Sequence, residues 1–165
     1  MLMDISRVKG GGSIPVDCVM PVAIPAGHDV AEPIVSVTLR GSVAKSGDAY
    51  VLRAAITAAF HVACARCLVP VPVSFVLDAE EQFREVPNED DWEITANMID
   101  LEPIAVNHLF SQIPAKALCG EMCKGLCRTC GADLNTSSCG CQSNDGDERF
   151  SVLKQWFSAD APDAE

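Results

Sequence analysis

The sequence predicts an α+β chain: an antiparallel β-meander packed by one or two helices, followed by a C-terminal cysteine-rich zinc-knuckle segment. Three observations predict it. Apolar and polar residues alternate with period two from Ile34 to Arg84. Apolar residues at helical spacing follow between Leu101 and Ile113. Six of the nine cysteines then fall between Cys119 and Cys141, after an earlier close pair, Cys64-Ala-Arg-Cys67.

Residues 1–32 read as a poorly defined segment with one possible edge strand. Around Cys18, Pro15 and Pro21 exclude a central strand, because a proline has no N–H to donate to a ladder. Cys18 itself reads as a buried structural thiol. Residues 33–118 form the meander and its helix. Val35, Val37, Leu39 and Val43 alternate with Ser36, Thr38, Arg40 and Ser42, which describes a half-buried strand. Lys45-Ser-Gly-Asp48 supplies a hairpin turn. The next run puts Tyr50, Leu52, Ala54, Ile56, Ala58, Phe60 and Val62 on one face, with Arg53, Thr57 and His61 on the other. It runs directly into Cys64, so that cysteine pair sits at a strand end. Val71, Val73, Phe75, Leu77 and Phe83 mark a third strand.

The acidic run 85–99 reads as a solvated loop. Asp100 is placed to cap a helix running to Ile113, with Pro103 tolerated in its first turn. Leu101, Ala105 and Leu109 make one stripe, and Val106, Phe110 and Ile113 a second. His108 reads as a core-edge residue. Residues 119–157 comprise the cysteine-rich segment and a short helix around Phe150, Leu153 and Phe157. The tail 158–165 is rich in Ala, Asp and Pro and is expected to be disordered.

Cys127-Arg-Thr-Cys130-Gly has the form of a zinc knuckle, in which two thiolates three apart and a turn-permitting glycine grip one tetrahedral ion. A single such unit is also a redox motif. Four paired units in one chain point instead to two zinc ions. Cys127 and Cys130 pair with Cys139 and Cys141 across a short span; Cys64 and Cys67 then pair with Cys119 and Cys123. The other arrangement, with Cys119 and Cys123 sharing an ion with Cys127 and Cys130, leaves Cys64 and Cys67 unsupported. A catalytic zinc keeps an open position and commonly takes His or carboxylate, so a zinc-dependent RNA hydrolase fits less well. A redox-sensing zinc switch is the other alternative, since oxidation of metal-bound thiolates ejects the ion.

Composition narrows the partners. Hydrophobic residues make up 48% of the chain but aromatics only 5%, so the core is built mainly from Val, Ile, Leu and Ala. The first ten residues lack the basic start, apolar run and small-residue cleavage site of a secretory signal. No stretch reaches the ~18 apolar residues of a membrane span. A cytoplasmic chain is expected, where reducing conditions favour metal ligation over disulfides. Net charge is −11, and two four-thiolate zinc sites would bring it to about −15. Such a chain has no global attraction for nucleic acid. Any RNA contact must be local, or pass through a basic partner. The candidate cations are Arg66, Lys116, Lys124 and Arg128, each within three residues of a paired cysteine. The same four could instead neutralise the metal sites.

These motifs together carry a resemblance. Cys64-Ala-Arg-Cys67-Leu68 at a strand end, Ile99-Asp-Leu before a helix, Leu118 through Asn135, Cys139-Gly-Cys141 and Asp147-Glu-Arg-Phe-Ser-Val-Leu153 resemble the YceD family of large ribosomal RNA subunit accumulation proteins, over roughly residues 30–157. Arg128 stands where other members commonly carry a proline. The resemblance implies a non-enzymatic bacterial or organellar factor for accumulation or processing of 23S ribosomal RNA and for large-subunit assembly. Its partner would be a 23S rRNA precursor or a large-subunit ribosomal protein, with no membrane and no small-molecule substrate. No phosphate-cradling glycine loop and no nucleophile elbow is present, in agreement with that.

Overall fold

The computed structural model describes residues 1–8, 11–25 and 29–141. The helix expected around Phe150 and the tail 158–165 lie outside these residues. The chain divides into two compact units, Met1–Cys123 and Lys124–Glu165.

The first unit is a five-stranded sheet in the order β2-β3-β4-β5-β6, with β2 (Ser13–Ala23), β3 (Ile34–Ser46), β4 (Ala49–Ala63), β5 (Pro70–Arg84) and β6 (Trp92–Glu93). The first four strands pair antiparallel; the two-residue β6 adds to β5 in parallel. The mostly antiparallel sheet with a single α-helix among the described residues matches the expected fold class. The edge strand foreseen around Cys18 spans eleven residues. Cys18 is half-buried on it, opposite Leu39, and burial followed by the neighbouring Asp17 pushes its thiol up.

Period-two alternation becomes burial. On β4 every even-numbered residue from Tyr50 to Val62 is buried, while Arg53, Thr57 and His61 are exposed. Val37, Leu39, Leu52 and Ile56 are fully enclosed. Burying four such side chains stabilises the unit by roughly 6–12 kcal/mol before entropy is counted. Gly41 faces Ala54 across the β3–β4 ladder, where a Cβ would lie 2.0 Å from the Arg53 carbonyl oxygen. Only glycine allows strands to approach that closely. The β3–β4 turn falls at Gly47-Asp48, with Gly47 at φ +62.

The helix α1 spans Glu102–Gln112 and buries Ile104, Ala105 and Leu109. Leu101, just before it, is buried as well; Val106 and Ile113 are half-buried against the core. The expected cap is displaced by one residue. Leu101 occupies the N-cap without a side-chain bond. Asp100 belongs to the short strand β7 (Met98–Asp100), which pairs with β1 (Leu2–Asp4). Its carboxylate still accepts the Glu102 N–H at 3.1 Å, so it serves the helix start from one position further out.

The acidic run is exposed at Glu85, Glu89, Asp90 and Glu93, as expected of a solvated stretch, and is tied down at Asp91 and Trp92. Asp91 meets Arg84 Nε at 2.9 Å. Trp92 Nε1–H donates to Glu81 at 2.7 Å, and the other Glu81 oxygen lies 2.7 Å from His108 Nε2. His108 thus sits at the core edge as expected, tying α1 to β5.

Candidate metal centres

The described residues contain two groups of four cysteines, each with its sulfurs within 4.8 Å of one another: Cys64, Cys67, Cys119 and Cys123, and Cys127, Cys130, Cys139 and Cys141. These are the two sets that spacing pairs.

The first group hangs from the end of β4. After Ala63 the backbone folds into a knuckle: Leu68 N–H returns to the Cys64 carbonyl, and Cys64 N–H donates to the Val69 carbonyl, both at 2.9 Å. Leu68 is forced to φ +63. Ala65 N–H donates to the Ala117 carbonyl at 2.9 Å, which brings the chain leaving α1 alongside the knuckle. Cys119 to Cys123 then closes over it, turned by the Cys123 N–H to Gly120 carbonyl bond at 3.1 Å. The Cys64–Cys123 sulfurs are 3.9 Å apart and the Cys67–Cys119 sulfurs 3.5 Å apart. A tetrahedral zinc with bonds of about 2.3 Å has sulfur–sulfur edges of about 3.8 Å. Cys64, Cys67 and Cys123 are buried; Cys119 is exposed.

The second group is built by the same local device. Gly131 N–H returns to the Cys127 carbonyl at 2.9 Å, and Cys127 N–H donates to the Ala132 carbonyl at 2.8 Å. Gly131 has φ +74, where glycine is unstrained. Asp133 then folds the chain back. Its carboxylate accepts the Asn135 N–H at 2.9 Å, and its carbonyl accepts the Ser137 N–H at 3.0 Å. Asn135 Oδ1 accepts the Lys124 N–H at 2.8 Å. Cys139 and Cys141 are thereby delivered to the knuckle. In this group Cys127 and Cys139 are half-buried, and Cys130 and Cys141 are exposed.

Electrostatics within each group are uneven in the same way. Backbone N–H groups of Arg66, Cys67 and Cys119 draw the Cys64 thiol down to about 6. Those of Cys130 and Thr129 do the same for Cys127, also to about 6. Neighbouring sulfurs push Cys119 up to about 12, Cys123 being the largest influence, and push Cys141 up to about 12, with Cys130 first. Clustered thiols resist joint ionisation because like charges repel. A divalent cation at the centre removes that repulsion. The donor sets therefore fit metal ions, and four sulfurs complete a tetrahedral shell.

The family model for large ribosomal RNA subunit accumulation protein YceD matches residues 52–156, well over half of the chain and both cysteine groups. The chain belongs to the YceD family. The match begins within β4, so β2 and β3 lie outside it. No curated protein and no solved structure matches the chain. No helix among the described residues is long and apolar enough to cross a membrane.

The four candidate cations separate. Arg66, itself exposed, reaches along the first group: its Nη1 donates to the Cys123 carbonyl at 2.8 Å and to the Glu121 carbonyl at 3.3 Å. That role was not visible in spacing, since the acceptors lie more than fifty residues away. Lys116 follows α1. Lys124 and Arg128 belong to the second unit. None of these three has an ion pair among the described residues.

Proposed function

We propose that this chain is a non-enzymatic cytoplasmic factor that supports 23S rRNA accumulation or processing and large-subunit assembly, with zinc in both cysteine groups. The carrying observation is the pair of four-sulfur groups in a chain of the rRNA accumulation family. Four thiolates leave a zinc no open position for water or substrate, which favours a structural over a hydrolytic role. Zinc would act by joining segments: β4 to the chain after α1 in the first group, and the two ends of one short loop in the second. The factor would work by binding, with a 23S rRNA precursor or a large-subunit ribosomal protein as partner.

Within this reading Lys116, Lys124 and Arg128 are the cations available to phosphate, while Arg66 serves the first metal site. The test combines metal analysis with sedimentation. Reduced full-length protein should carry two zinc ions per chain, co-sediment with large-subunit precursors and leave RNA intact. Lys124→Ala with Arg128→Ala should weaken co-sedimentation at unchanged zinc content. Zinc below about 1.5 per chain would contradict the two-site reading, and RNA cleavage abolished by Cys→Ser changes would replace it with the hydrolytic one.

A further inference from the structure

β5 is an incomplete edge. Its partner β6 pairs only at Phe83 and Arg84, so among the described residues no strand covers β5 from Pro70 to Gln82. The direction of the open groups follows from one bond: Ile94 N–H donates to the Arg84 carbonyl, which places even-numbered β5 residues with their backbone groups toward the edge. Pro70 and Pro72 have that parity, so neither removes a bond to β4. Ser74, Val76, Asp78 and Glu80 then present N–H and C=O groups outward.

The two faces beside this edge differ. On the inner face Val71, Val73, Phe75 and Leu77 are only half-buried, unlike the enclosed even-numbered row of the adjacent β4. On the outer face Val76 is 73% exposed and is followed by Asp78; Glu80, next on that face, is already paired with Arg53 of β4 at 2.9 Å. Edge strands are ordinarily blunted by inward charges, lysines, prolines or a covering element. Here Pro70 and Pro72 blunt the start of the edge and Glu81 is an inward acid already engaged by Trp92 and His108, which leaves Ser74 to Glu80 as the open stretch, with Val73, Phe75 and Leu77 as its apolar inward row.

We infer that the β5 edge receives an extended, basic protein segment as an added strand, with apolar residues alternating with Lys or Arg. The apolar positions extend the row of Val73, Phe75 and Leu77, and a cationic position falls beside Asp78. The chain's net charge of −11 favours the same partner. This inference rests on reading the chain as a binding factor, and it specifies the chemistry of a protein partner.

The test uses the full-length, metal-loaded chain and three labelled probes followed by fluorescence anisotropy. These are an alternating valine–lysine peptide, the same peptide N-methylated at alternate residues, and an alternating valine–glutamate peptide. The first should bind about ten-fold or more tightly than either of the others, because only it combines backbone pairing with opposite charge. Val76→Pro removes an outward N–H that no strand uses, and should lower that affinity by about ten-fold at unchanged melting temperature. Asp78→Lys, an exposed change that leaves the backbone alone, should weaken the lysine peptide and strengthen the glutamate peptide. Equal binding of the methylated peptide, or indifference to both substitutions, overturns the inference. So does cross-linking from residue 76 to this chain's own C-terminal residues, to a second copy, or to RNA in place of protein. Co-sedimentation of the same wild-type sample with ribosomal precursors reports separately: its failure with intact peptide binding removes the functional reading and leaves the edge.

Discussion

The two cysteine groups share a local fold and differ in what surrounds them. Each knuckle has the same pair of backbone bonds, from the residue after the second cysteine to the first carbonyl and from the first cysteine to the residue beyond. In the first group the left-handed position is held by Leu68, in the second by Gly131. The first group joins β4 to residues 119–123 and hides three of its cysteines; the second closes a loop within 127–141 and hides none fully. The knuckle conformation therefore does not require glycine. A residue with intrinsic strain can occupy it where tertiary contacts hold the rest of the site.

The largest test of this contrast is ligand loss. Cys64→Ser should destabilise the first unit by about 3 kcal/mol or more, lowering its Tm by roughly 10 °C. Cys139→Ser should leave that transition nearly in place, because its loop is short and closing it restricts the unfolded chain less. Calorimetry of both variants checks this, and equal losses would remove the distinction.

Next comes Gly131→Val. A β-branched residue at φ +74 should cost the second group about 2 kcal/mol, read as faster zinc transfer to a chromogenic chelator from one site only. Arg66→Ala should have the corresponding effect on the first group alone, at about 1–2 kcal/mol, because two carbonyls lose a charged donor. Arg66→Lys should restore little, since one ammonium on a flexible stem does not reproduce the guanidinium fork. Chelator kinetics with both variants would show whether the two sites respond independently.

The smallest effect has the opposite sign. Leu68→Gly relieves about 1–2 kcal/mol of left-handed strain and adds about 0.5–1 kcal/mol of unfolded-chain entropy. Leu68 is 63% exposed, so little burial is lost. A gain of up to about 1 kcal/mol is expected, measurable as a small rise in Tm. A fall in Tm would show that the leucine side chain itself supports the site.

Much of the fold was legible because burial on a strand has period two. Tyr50 to Val62 declared its inner face residue by residue, and the turn at Gly47-Asp48 followed from composition. The β1–β7 pair was not legible, since three-residue strands carry no measurable period. Its absence from the reading moved the helix cap: Asp100 looks like a cap in one dimension, but pairing with Leu2 holds it in a strand. The acidic run is exposed at most of its acids, as its charge density indicates, but its anchoring was not legible. Trp92 and Asp91 are anchored by Glu81 and Arg84, residues of another strand.

For the candidate sites, the sequence by itself brought out the close cysteine pairs, the local knuckles and the economical grouping of four such units into two sets. These are short-range properties: a Cys-x-x-Cys bite and a short return loop are set by bond lengths and a few dihedral angles. Only the tertiary structure decided that Arg66 reaches two distant backbone carbonyls and that, among the described residues, no strand covers β5 before Phe83. Each of those depends on where segments more than fifty residues away, or an entire neighbouring strand, come to lie. Side-chain direction and edge exposure are consequences of packing, and packing is fixed by the sum of many distant contacts that no local pattern records.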